Sequence, residues 1–245
     1  MIAVLALAAV LAVADSTCGA SGSPDAYVLT PNVEHGEVEL EYRMGAQNQT
    51  GAGSLEGSSI ALGYAPTSWW GTEVYAKFRR RCGASVQYDA VEWENRIRFT
   101  KAGRHALDVG AAIEFELPAD RSEGVELAIG PLLQSSLGRW QLNANVLFAG
   151  SIDAATSSPT ELGYQWQARY RWKRAISLGA QAFGDVGTWD HWSATSAQSH
   201  LLGPALFGKI ALGDDGGLDY DAAMLWGLTA GSPDTRFRLQ VEFEF

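Results

Sequence analysis

Cysteine is nearly absent: Cys18 and Cys82 are the only two in 245 residues. That excludes a disulfide-stapled scaffold. Charge is sparse, at 19% of residues, and the basic sign is the scarcer one, with 18 Lys and Arg against 28 Asp and Glu. A net charge of −10 excludes the basic footprint that nucleic acid requires. No stretch after the first residues could cross a bilayer as a helix. The longest run without Asp, Glu, Lys or Arg, His191 to Gly208, carries His, Ser, Thr, Gln and Pro. Phosphate loops, dinucleotide fingerprints, zinc-ligand spacings and the G-x-S-x-G elbow are all missing, so no cofactor and no metal is expected. A hydrophobic fraction of 47% excludes a disordered chain. What is abundant is glycine together with aromatics: 27 Gly, 9 Trp, 8 Tyr and 9 Phe. That pairing belongs to chains of many strands and tight turns.

The first residues, MIAVLALAAVLAV, are uncharged and are followed by Ala12-Val13-Ala14 and Asp15. This pattern predicts a secretory leader over 1–14, too short to span a bilayer. Residues 15–35 are then expected to form a periplasmic lead-in or partial plug, and 36–245 the folded body. In that body a period of two recurs. Val38, Leu40, Tyr42 and Met44 alternate with Glu37, Glu39, Glu41 and Arg43. Leu107, Val109, Ala111, Ile113 and Phe115 share one face, while Asp108, Glu114 and Glu116 share the other. Trp140, Leu142, Ala144, Val146 and Phe148 oppose Arg139, Gln141, Asn143 and Asn145. At the C-terminus Phe237, Leu239, Val241, Phe243 and Phe245 alternate with Arg236, Arg238, Gln240, Glu242 and Glu244.

The pattern predicts twelve strands, near 36–46, 55–65, 69–80, 86–99, 104–117, 123–136, 139–150, 161–173, 175–187, 199–212, 218–230 and 234–245. Strands of about ten residues are what a tilted strand needs to cross hydrocarbon, whereas soluble sandwiches use shorter ones. Tight connections are expected after even-numbered strands. Longer polar ones (46–54, 81–85, 118–122, 151–160 and 188–198) are expected after odd-numbered strands, with a short final link at 231–233. Tyr64, Trp69 or Trp70, Phe99, Trp140, Trp172, Phe243 and Phe245 sit near the short turns, as an interfacial girdle would. The fold class expected is all-β: one antiparallel transmembrane barrel with short periplasmic turns and longer extracellular loops.

The C-terminal alternation through Phe237, Leu239, Val241, Phe243 and Phe245 resembles the assembly signal of bacterial outer-membrane β-barrels. The segments TPNVEHGEVELEYRMG (30–45), ALGYAPTSWWGTEVYAKF (61–78) and EWENRIRFT (92–100) look like those of a group of uncharacterised proteobacterial outer-membrane barrels. The resemblance implies export to the outer membrane and contact with its lipid, its lipopolysaccharide and the barrel-assembly machinery. It names no solute.

Period two also sorts the charges. Glu73, Lys77 and Arg79 face the interior on strand three, and Glu92, Glu94, Arg96 and Arg98 do so on strand four. Asp108, Glu114 and Glu116 follow on strand five. If Lys77 lies opposite Glu92, then Glu73 lies opposite Arg96, and Arg96 faces Asp108 on the other side. The Glu73–Arg96–Asp108 row reads as a structural ladder or as a constriction that filters solutes. Arg79-Arg80-Arg81 stands at the outer rim, where lipopolysaccharide phosphates would lie. His191 and Ser193, with Asp190 nearby, are candidates for a lipid hydrolase. Asp214, Asp215, Asp219 and Asp221 read as hairpin-turn residues rather than calcium ligands. The leading expectation is a narrow channel for small polar solutes. The alternatives are a non-conducting structural or surface-interaction barrel and, behind it, a membrane-embedded hydrolase. Cys18 and Cys82 are expected on opposite sides of the membrane, and hence unbonded to each other.

Overall fold

The computed structural model describes residues 22–156, 158–213 and 216–245. The expected leader and the start of the lead-in therefore lie outside the described residues, as do Asp214 and Asp215. The described chain forms twelve strands: β1 (Val38–Gln49), β2 (Gly53–Tyr64), β3 (Trp70–Arg81), β4 (Gln87–Arg98), β5 (Asp108–Pro118), β6 (Val125–Leu137), β7 (Trp140–Ile152), β8 (Glu161–Lys173), β9 (Ile176–Thr188), β10 (Ser199–Leu212), β11 (Gly216–Gly227) and β12 (Thr235–Glu244). Each pairs with its neighbours in sequence, and β12 pairs antiparallel with β1, so the sheet closes into a barrel with no free edge.

The burial pattern is inside-out for a soluble protein. Leu62 is 62% exposed while Glu41 is 2% exposed. The apolar residues of the period-two pattern point outward, and the charged ones fill the interior. Only an apolar solvent around the barrel makes that arrangement favourable, and it excludes a sandwich with an aromatic core. Tyr64, Trp69, Phe99, Trp140, Trp172 and Phe245 stand exposed around the short-turn end, as an interfacial girdle requires.

Three connections differ from the pattern expected. β1 runs on to Gln49, leaving a tight turn where a loop over 46–54 was expected. The polar residues Gln47 and Asn48 still pair with Arg236 and Thr235 on one side and with Leu55 and Ser54 on the other. Asp234 also accepts hydrogen bonds from both the backbone N–H and the hydroxyl of Thr50, each at 2.7 Å. β5 starts at Asp108 rather than 104. The Asp108 carboxylate takes the Gly103 N–H at 2.9 Å, with Gly103 at φ 66°, and 99–107 becomes the connection. The last link spans 228–234 rather than 231–233, because β11 stops at Gly227.

The closing strand carries a first prediction. Phe245 donates its N–H to Val38 at 3.0 Å, and its ring lies 5.1 Å from that of Phe243, so it completes the β1–β12 seam. Deleting Phe245, or changing it to Asp, should sharply cut the yield of folded barrel. Heat-modifiable gel mobility reads this directly, and an undiminished folded yield would contradict it.

Candidate functional site

The barrel interior holds the candidate site, because strict alternation sends one face of every strand inward. Here the registers matter. β3 and β4 pair Glu73 with Glu94 and Tyr75 with Glu92, two residues away from the expected alignment. Long side chains reach across the offset. Lys77 Nζ still meets Glu92 at 2.8 Å and also Glu116, and Arg96 still meets Glu73. Asp108 does not join this row. Arg96 lies opposite Ala112, whereas Asp108 lies opposite Gln134 and is taken up by the Gly103 turn. The register follows the long β4–β5 connection, which places Asp108 at the strand's first position. Glu39 of β1 at 3.4 Å and Glu94 at 3.3 Å complete the Arg96 cluster instead. Sequence reasoning missed Glu39 because the contact crosses two strands.

Beside this cluster sits Arg43, which is buried. It pairs with Glu41, donates to the Tyr75 hydroxyl, and its guanidinium carbon lies 3.2 Å from the Tyr27 ring centroid. Tyr27 donates its hydroxyl proton to Glu94 at 2.5 Å. Arg43, Arg96 and Lys77 thus offset part of the wall's negative charge, which low-dielectric burial would otherwise penalise.

The opposite wall is an amide ladder. Asn143 donates to Gln134 at 2.9 Å, Gln167 to Asn143 at 3.0 Å, and Gln181 to Gln167 at 3.1 Å. Arg238 closes the ladder by donating to Gln181 at 2.6 Å and pairing with Asp221 at 2.7 Å. The inward alternation of Gln141, Asn143 and Asn145 was the sequence signal for this wall.

Residues 22–36 occupy the space between the two walls. Pro24 and Asp25 pack on Gly45 and Gly57 in the long-loop half of the barrel. Val28 enters an apolar cluster with Phe183, Leu201 and Phe207. Leu29 enters another with Ala112 and Leu132. Lower down, Asn32 and Gln134 exchange hydrogen bonds, and Arg98 Nη1 donates to the Val33 carbonyl at 2.9 Å. Gly36 donates to Ala65 at the short-turn rim. Two cavities flank this segment, and Tyr27 lines both. One of about 120 Å³ faces the long loops, beside Lys77, Glu114 and Glu126. The other, of about 290 Å³, faces the short turns, beside Glu37, Glu39, Arg169 and Glu242. Glu37 lies just before β1, where burial and then the neighbouring Glu39 push its carboxyl up to about 7.

Other partners take up most of the remaining candidates. His191 is exposed, with Asp190 3.9 Å away, and among the described residues no hydrogen bond joins its ring to Ser193, whose backbone N–H goes to Val186. Asp219, Glu242 and Glu244 lie close enough to surround a cation, but Lys209 already sits against Asp219 and Glu244. Arg79 pairs with Asp89 at 2.8 Å, and Arg80 turns outward to Glu56. Cys82 is disulfide-bonded. The other half of the expected unbonded pair is Cys18. Cys18 itself lies outside the described residues.

No family model matches the sequence, and no curated protein matches it. Solved structures do. The barrel is similar to an outer membrane channel from Pseudomonas putida F1, with TM-score 0.60 and 12% identity over 91% of this chain and 99% of that one. It is similar to the NanC porin, with TM-score 0.56 and 9% identity over 84% and 98%. It is also similar to the KdgM porin solved with disordered oligogalacturonate, with TM-score 0.54 and 10% identity over 84% and 99%. At such identities the likeness establishes the fold, that of a bacterial outer-membrane barrel.

Proposed function

We propose that the chain is a narrow outer-membrane channel for small polar solutes. The observation that carries this reading is a closed barrel with an apolar outer belt and a charged interior holding two cavities in line. Its likeness in fold to an outer membrane channel and to the NanC and KdgM porins supports it. So does the expected secretory leader, which would deliver the barrel to the outer membrane through its assembly machinery. Lipid would surround the belt, and lipopolysaccharide would meet the rim near Arg81.

The solute named for the KdgM complex is a polyanion. It suits this interior poorly, because carboxylates, among them Glu37, Glu39, Glu41 and Glu242, outnumber Arg96, Arg169 and Lys209 around the larger cavity. A preference for cations is expected instead. In planar bilayers the purified barrel should pass a small, cation-selective current. That selectivity should grow as pH rises through about 7, because Glu37 is neutral below and charged above. An anion-selective current, or none from demonstrably folded protein, would overturn the reading. One observation favours a second reading, a non-conducting barrel: residues 22–36 occupy the centre of the path.

A further inference from the structure

The contacts that hold residues 24–33 are of a particular kind. Leu29 donates its N–H to Gln165 at 3.1 Å and accepts from Asn145 at 2.8 Å, while Asn145 also donates to Gln165 at 3.1 Å. Two wall amides thereby read both main-chain groups of one residue, as a neighbouring strand would. Arg98 reads a second main-chain carbonyl four residues on. On the wall, a Cβ at Gly45 would stand 1.9 Å from the Pro24 carbonyl oxygen, so glycine is what lets that backbone approach. Successive side chains then enter different pockets: Tyr27 onto Arg43 and Glu94, Val28 beside Phe183, and Leu29 beside Leu132. Main-chain hydrogen bonds, backbone clearance and side-chain pockets for consecutive residues are the parts of a peptide-binding groove.

We propose that the barrel interior is a binding site for an extended peptide, filled in cis by residues 24–33, and that short peptides of aromatic-aliphatic-aliphatic pattern are the ligand class this groove accepts. This deepens the channel reading and rests on it only for passage, not for binding. A covalently attached segment competes at an effective concentration in the millimolar range, so wild-type protein should hold its own segment and largely exclude a free peptide. Loosening the segment should expose the groove.

The test uses the full chain carrying Leu29→Asp, which sets a carboxylate against Ala112 and Leu132, with heat-modifiable mobility confirming a folded barrel. Tyr27→Ala serves as a second variant should the first not fold. The probe is a fluorescent peptide of residues 24–33, PDAYVLTPNV, read by anisotropy in detergent. The loosened variant should bind it at least about tenfold more tightly than it binds a scrambled peptide, and more tightly than wild type does. In a bilayer the same variant should pass more current than wild type, and the peptide should block it. Equal binding of the native and scrambled peptides by a folded, loosened variant overturns the proposal. Selective binding without any current upholds the peptide site and overturns the channel reading instead.

Discussion

Arg96→Ala should destabilise the barrel by about 3–5 kcal/mol, the usual cost of stripping one partner from a buried ion pair. Arg96 is the guanidinium shared by Glu73, Glu39 and Glu94, and the Glu73 and Glu94 side chains are 3% and 1% exposed. Without it, carboxylates face each other across a desolvated gap, with Arg43 bonded to Glu41 and Tyr75 and reaching Glu94 only at 3.9 Å. The loss should shrink as pH falls, because protonating those carboxylates removes the repulsion. Arg96→Lys should recover part of the stability but not all, since an ammonium cannot reproduce the fork that reaches three carboxylates. The same alanine variant should shift permeation further toward cations. Thermal unfolding followed by gel mobility, repeated at two pH values, checks the first claim, and reversal potentials check the second. An unchanged melting temperature at neutral pH would mean that water already compensates the cluster.

The twelve strands were legible because each must present an unbroken apolar face to lipid, and that face leaves period two in the sequence. The strand ends were less so, because pairing continues past the apolar band wherever polar residues find partners. Gln47 and Asn48 extend β1 for this reason, and the Gly103 turn shortens β5 for the complementary one. Parity also sorts the charges of β3, β4 and β5 onto one face of the sheet. It could not fix which of them meet. Register depends on the connection between β4 and β5, and Arg96 reaches Glu39 across two strands.

The path of residues 22–36 left a signal that period two by itself does not read. Gly45, Gly57 and Gly110 occupy inward positions where alternation would place a polar side chain, and Pro24, Asp25 and Pro31 press against them. An interior glycine on a regular strand marks a close approach of other backbone. Nor is the segment confined to the short-turn side, since Gly22 lies beside Arg236 in the long-loop half of the barrel.

Gly45→Val isolates that close approach, because two effects of the substitution oppose each other. On an otherwise open strand, valine in place of glycine should stabilise by about 0.5–1 kcal/mol, through restricted backbone freedom and better strand propensity. Here the new Cβ alone would lie 1.9 Å from the Pro24 carbonyl oxygen and 2.6 Å from the Asp25 nitrogen. Backbone on both sides leaves no flexible side chain to swing away, so the segment must shift. Its outer end should lift from Gly45 and Gly57 while β1 keeps its pairing with β2 and β12. The barrel should therefore fold, with Pro24–Ala26 newly open to protease, and conductance should rise several-fold above wild type. Limited proteolysis of the folded protein and single-channel recording check the two halves. A valine variant that is more stable than wild type, equally protease-resistant and unchanged in current would mean that residues 24–25 do not press on this wall in the membrane.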